Sequence, residues 1–237
     1  MHSPLRWITA GCLLAFAGCS GTTVEMDAAT PEDASSGDDA DTSGATTYLA
    51  EVWADNWSSM YVDGELVMED SVSITTERSF NEEVFTFEAT PPFQMSVVLK
   101  DFIEDDTGLE YIGTGRQQMG DGGYIAQITN MSTGALAMVS SADWRCTTIH
   151  EAPLETSCES ASAPTVESCG ATISEEPDGW RGAGFDDSDW AAASVFTAAE
   201  VDPKQGYDAV TWDPSAQFIW GPNLQTHNTV LCRVTVP

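Results

Sequence analysis

From Thr47 onwards the chain is written in short apolar or alternating runs separated by Asp, Gly, Pro and Ser, and no stretch keeps a helical period over ten residues. The clearest run is Thr229 to Val236, where alternation sets Val230, Cys232, Val234 and Val236 on one face and Arg233 and the threonines on the other, predicting a half-buried strand. Similar reasoning predicts strands at Tyr48 to Ala54, Ser58 to Val62, Glu65 to Met68, Val84 to Glu88, Met95 to Asp101 and Gly123 to Thr129. Further ones are predicted at Ala135 to Ser140, Trp144 to Ile149, Ala193 to Phe196 and Gln217 to Trp220. So many short strands imply an all-β protein of two packed sheets. Asp63-Gly64, flanked by two apolar runs, supplies the positive φ angles of a tight hairpin, and Asn130 to Gly134 marks a second, looser reversal. Asp101 to Gly122 is too polar for a strand and reads as a long loop or a short irregular excursion.

The N-terminal part follows different rules. Arg6 precedes an apolar run, Trp7 to Ala17, that is too short to span a bilayer and has the form of a secretory leader, residues 1–18. Its end, Phe16-Ala17-Gly18-Cys19, resembles a bacterial lipobox with Phe16 in place of the usual aliphatic residue, which implies lipidation of Cys19. The competing reading is a soluble secreted protein cleaved nearby, leaving Cys19 as an odd cysteine. Ser20 to Thr47 carries seven acids and no base and buries too little apolar surface to order itself, so residues 19–47 read as a disordered acidic tether spanning roughly 30 Å as a coil. The expected location is a bacterial membrane, outer membrane or cell surface, with the bilayer reached only through the acyl anchor.

Composition narrows the partners. Acidic residues outnumber basic ones 38 to 8, so a phosphate-binding footprint has almost nothing to be built from and nucleic acid is excluded as a partner. The same deficit argues against a basic patch on anionic lipid, and leaves cations and neutral glycans as ligands. An apolar content of 42% is enough for a genuine core.

Ala54-Asp55-Asn56-Trp57, followed by Tyr61-Val62-Asp63-Gly64-Glu65-Leu66-Val67, resembles the hairpin of galactose-binding-domain-like jelly rolls, notably the N-terminal accessory modules of bacterial α-L-rhamnosidases. Ala126-Gln127-Ile128, Ser141 to Arg145, Gly179-Trp180 and Gly184 to Ala193 follow in the same order. The resemblance implies a jelly-roll β-sandwich of two antiparallel sheets over residues 48–237, without the catalytic barrel of those enzymes. It further implies that the Asp186-Asp187-Ser188-Asp189-Trp190 stretch is architectural, and that the strand order is rotated so that the C-terminal strand lies beside Tyr48 to Ala54.

Four cysteines remain after Cys12 and Cys19, an even number suited to an oxidising compartment, and their spacings do not fit a zinc site. Three pairings are open, of which Cys158 with Cys169 and Cys146 with Cys232 are preferred, the first closing a Pro- and Ser-rich loop and the second joining two strands. His150 and His227 lack a nucleophile elbow or metal-spaced partner and are assigned to surface or strand-end positions. Carboxylate pairs arise by chance among so many acids, so no catalytic residue is assigned and the protein is read as a non-enzyme.

No cofactor is required by this reading. Calcium is the cation its oxygen ligands would suit, with Asp101, Glu104, Asp105 and Asp106 as one candidate set and Asp186, Asp187 and Asp189 as another; neither has EF-hand spacing. Tryptophan faces stack on pyranose rings, and Trp57 and Trp212 are the ones expected to be exposed, with Asp55 or Asn56 hydrogen-bonding a neutral glycan. Two functions follow: weak carbohydrate binding, or a structural or protein-interaction domain of the cell surface with all tryptophans buried.

Overall fold

The computed structural model describes residues 44–237; the leader, Cys19 and the tether as far as residue 43 lie outside the described residues. The chain forms β1 (Thr46–Asp55), β2 (Trp57–Val62), β3 (Glu65–Glu69), β4 (Asn81–Ala89), β5 (Phe93–Lys100), β6 (Leu109–Glu110), β7 (Gln118–Met119) and β8 (Gly123–Asn130). There follow β9 (Leu136–Val139), β10 (Arg145–Glu151), β11 (Thr172–Ile173), β12 (Ala191–Ala192), β13 (Ser194–Phe196), β14 (Phe218–Trp220) and β15 (His227–Val236). The helices among the described residues are single turns, such as Val166–Cys169 and Ala198–Val201, and none is long and apolar enough to cross a membrane.

Two antiparallel sheets make the sandwich. One has the order β13-β14-β8-β1-β4, with β9 beside β8; the other has β11-β10-β15-β5-β2-β3, with β12 beside β10. Alternation along the strands builds the layer between them. Tyr48, Ala50, Val52 and Ala54 of β1 and Tyr124, Ala126 and Ile128 of β8 meet Met95, Val97 and Leu99 of β5 and Val230 and Cys232 of β15 in one buried cluster. Aromatic rings close one part of it, with Phe87 and Phe93 at 5.5 Å and 5.1 Å from Tyr48.

Both sheets are also covered on their outer faces. Trp53, Ile125, Phe218 and Val201 pack outside the first, and Val98, Leu231 and Trp180 outside the second. This changes the reading of β15 from half-buried to buried on both sides: Arg233 is 1% exposed beneath the 179–190 segment. Its guanidinium donates to Gly182 O at 2.7 Å and Phe185 O at 3.3 Å and pairs with Asp187. The Asp-Asp-Ser-x-Trp stretch thus has the architectural part expected of it, since Trp190 packs on the same cluster and Asp186 accepts from the Ser188 amide at 3.0 Å.

The hairpin at Asp63-Gly64 forms with φ angles of 49° and 94°, the signature of a tight turn matched to strand twist. The reversal after β8 closes through Gly134 N–H donating to Asn130 O at 2.8 Å. Four expectations are corrected. The C-terminal strand does not lie beside β1: β15 sits between β10 and β5 in the opposite sheet, because its second apolar face is needed under the 179–190 cover. The segment from Asp101 to Gly122 carries a small hairpin, β6–β7, and the first strand begins at Thr46, inside the stretch assigned to the tether. His150 and His227 stand at strand ends, as one of the two expected placements had it, but they are buried and not on the surface; His150 Nδ1 lies 3.0 Å from Asn228 Oδ1 and His227 Nδ1 lies 2.6 Å from Thr148 Oγ1.

Both disulfides join the preferred partners. Cys146 and Cys232 stand directly opposite in the β10–β15 register with Cα atoms 4.1 Å apart, so pairing of the two strands already places the sulfurs. Cys158 and Cys169 lie under Leu109 in a separate cluster with Ile112 and Met119, which seats the β6–β7 hairpin against the disulfide loop. Gln117 Nε2 adds donation to Glu159 O and Ala161 O, both at 2.8 Å.

Candidate functional site

One end of the sandwich gathers carboxylates. β1 ends at Asp55, Asp101 follows the last residue of β5, and Asp121 stands two residues before β8 begins, so three strand ends from both sheets deliver an acid to one place. One carboxylate oxygen from each of Asp55, Asp101 and Asp121 falls within 4.8 Å of the others. Asp55 and Asp101 are 0% and 3% exposed, and among the described residues none of their four oxygens accepts a hydrogen bond. The amide donor next in the chain to Asp101, Phe102 N–H, is taken by Asn56 Oδ1 at 2.6 Å. Gly120 is required here, because a Cβ on it would lie 1.6 Å from Asp101 Oδ2.

Burial pushes both carboxyls well above the ordinary range. For Asp55 the neighbouring Asp121 adds to this, Lys204 opposes it and Glu110 adds again; for Asp101 the charges of Asp55, Glu110 and Asp121 add and the nearby Phe102 amide, whose hydrogen bond goes to Asn56, opposes weakly. Asp121 is raised mainly by burial, against the pull of Lys204, whose Nζ stands 3.8 Å from Asp121 Oδ2. Glu110, 2% exposed, is raised by burial to about 7 even though its Oε2 accepts from Gln118 Nε2 at 2.8 Å.

Above these acids opens a groove of about 520 Å³ lined by Glu77, Arg78, Phe80, Glu110, Tyr111, Gln118, Asp121, Lys204 and Gln205. It is walled by the loop before β4, by the β6–β7 hairpin and by the segment after the Ala198–Val201 turn. Tyr111 has φ +52°, an unusual backbone for a bulky residue, and the Arg116 guanidinium stands 3.8 Å from its ring centroid. The Tyr111 hydroxyl holds the Glu77 carboxyl below its usual range. The groove therefore offers aromatic surface, amide groups and carboxylates together.

The residues expected to bind sugar are not brought together. Asn56 is 1% exposed and consumed by the fold: besides accepting from Phe102 it donates through Nδ2 to Glu77 O at 3.0 Å. Asp55 is buried in the carboxylate cluster rather than presented at the hairpin. Trp57 is half-buried against the outer cluster of the second sheet with Lys100 Nζ 5.0 Å from its ring, whereas Trp212 stacks on Tyr207 outside the first sheet and donates to Tyr207 O at 3.0 Å. The tryptophans among the described residues are all buried or half-buried, because both outer faces of the sandwich have their own apolar cover.

The expected cation set is corrected in the same way. Of Asp101, Glu104, Asp105 and Asp106, Asp101 alone joins the cluster. Glu104 accepts from Ile112 N–H at 3.3 Å and Asp105 from Thr107 N–H at 2.9 Å, which are turn contacts, and Asp106 is exposed with Oδ1 3.5 Å from His150 Nε2. Asp186 and Asp187 are committed to Ser188 and Arg233. Sequence reasoning missed Asp121, Glu110, Tyr111, Gln118 and Lys204. The available signal was positional: Asp55 and Asp101 each end a strongly apolar strand, and Gly120-Asp121-Gly122-Gly123 leads into another.

Comparison of the chain with protein-family models, with curated proteins and with solved structures returns no match.

Proposed function

We propose that residues 44–237 are a jelly-roll domain that binds a neutral glycan without cleaving it, carried on a lipid anchor at Cys19. The observation that supports this most directly is the groove over the acidic end of the sandwich, which combines Phe80 and Tyr111 with Glu110, Asp121, Gln118 and Gln205. Aromatic surface takes the apolar face of a pyranose, and carboxylates and amides accept from or donate to its hydroxyls. The acids in the groove and the net charge of −30 repel anionic glycans, leaving neutral ones. Affinity at one site is expected to be weak, because the groove is open and wet and Arg116 already covers part of Tyr111. Many copies on one membrane would compensate by avidity. The two disulfides agree with export to an oxidising compartment, as the leader implies.

A second reading, a structural or protein-interaction domain, is favoured by the packed tryptophans. A glycan array probed with the purified protein, followed by calorimetry with Tyr111→Ala and Gln118→Ala, separates the two. Binding of neutral glycans that both variants weaken at least tenfold supports the groove. Absence of binding at millimolar glycan leaves the interaction domain, and hydrolysis of a glycoside overturns both.

A further inference from the structure

We propose that Asp55, Asp101 and Asp121 hold a calcium ion at the base of the groove. The inference goes beyond glycan binding and does not depend on it. Two carboxylates buried side by side with no hydrogen bond to any of their four oxygens among the described residues are among the costliest arrangements a protein interior can contain, and a proton or a cation is what offsets them. Lys204 is the cation whose charge reaches Asp55, and it stands at the rim: its Nζ is 3.8 Å from Asp121 Oδ2 and closer, at 2.8 Å, to Asp202 Oδ2. Among the described residues neither Asp55 nor Asp101 forms an ion pair.

The donor chemistry selects the ion. One oxygen from each of the three acids lies within 4.8 Å of the others, close enough for a single cation to take all three, and hard oxygen donors are what calcium binds. The donor set is carboxylate oxygen with neither His nor Cys, which disfavours zinc and copper. Magnesium keeps several waters in a strict octahedron, which a site with two acids at 0% and 3% exposure accommodates poorly. Glu110, buried beside the cluster and coupled to Asp55 and Asp101, adds to the negative field.

A bound ion would also explain the backbone. It would join the end of β1 in one sheet to the end of β5 in the other and to the approach to β8, and Gly120 leaves the space in which Asp101 can turn inward. Asp121, which lines the groove, would then be fixed by the same ion.

The test is calorimetric titration of the EDTA-stripped full chain with calcium chloride at pH 7.5, without glycan, alongside thermal melts. One ion per chain is expected, with the melting temperature raised by about 5–10 °C at a hundredfold excess over the dissociation constant. Asp101→Asn should lower calcium affinity at least a hundredfold while raising the melting temperature in EDTA, because it removes a buried like charge; Asp121→Asn, nearer the surface, should weaken calcium and keep the fold. Asp105→Asn should bind as the wild type does. No uptake of calcium, with melting indifferent to calcium and EDTA, would overturn the proposal in favour of shared protons. Preferential uptake of magnesium would overturn the choice of ion.

Discussion

Arg233, inside a strand and 1% exposed, pairs with Asp187 from the loop that covers the outer face of its sheet. The pair explains why one face of β15 carries a charge and is nevertheless buried: the guanidinium is held by a carboxylate and two carbonyls, and Phe185 lies over it at 5.1 Å. Arg233→Ala should therefore destabilise the protein by about 3–5 kcal/mol, since it leaves Asp187 unpaired and opens a void. Denaturation in urea measures it. A loss below about 1 kcal/mol would mean that the 179–190 cover is held by its apolar contacts alone.

The two disulfides should contribute unequally and to different ends. Cys146–Cys232 spans 86 residues of sequence and Cys158–Cys169 spans 11, so chain entropy assigns about 4.5 and about 3 kcal/mol. The short bridge seats the β6–β7 hairpin that walls the groove. Replacing Cys158 and Cys169 by Ala should weaken any glycan bound there more than the loss in stability implies, whereas replacing Cys146 and Cys232 should mainly lower the melting temperature. Equal effects of the two double variants on binding would contradict this division.

Asp70 sets a pH dependence away from the groove. Burial raises its carboxyl to about 6, against the Val72 amide that hydrogen-bonds it at 3.0 Å and with Glu83 adding to the rise. A raised carboxyl binds its proton more tightly in the folded state, so its contribution is full below about pH 4 and is lost as the pH climbs to 6. Asp70→Asn should be more stable than wild type above pH 6 by about 1.5 kcal/mol, once solvent screening is allowed for, and equal to it near pH 4. Urea midpoints of the two proteins across that range decide it, and a constant difference would refute the assignment.

Much of the fold could be read from the sequence because alternation and turn chemistry are local. Tyr48, Ala50, Val52 and Ala54 announce the inner face of β1, and Asp63-Gly64 announces the β2–β3 hairpin. Which sheet a strand joins is not local. Arg233 reads as a solvent-facing residue until the 179–190 loop is folded over it, and β15 pairs with β10 and β5 through residues far away in the chain, against the rotated strand order that the resemblance implied. The site was harder still. Asp55 and Asp101 are 46 positions apart by number and meet through sheet packing, and the glycines around Asp121 mark the approach to a strand without saying that its carboxyl meets theirs. Trp57 and Trp212 drew attention by size, yet outer-face packing accounts for both.

Anchoring is separable from everything inside the sandwich. Cys19→Ser should release the protein from the membrane fraction, because the acidic chain offers anionic lipid no basic patch. Retention of that variant after a salt wash would contradict lipidation at Cys19.

The most direct test of glycan recognition is an amide chemical-shift titration of isotopically labelled protein with the best neutral oligosaccharide from the array. The account predicts saturable shifts grouped on Glu77 to Phe80, Glu110 and Tyr111, Gln118 to Asp121, and Lys204 and Gln205, the residues that wall the groove. Shifts centred on Trp57 or Trp212, or none from any neutral glycan, would contradict it.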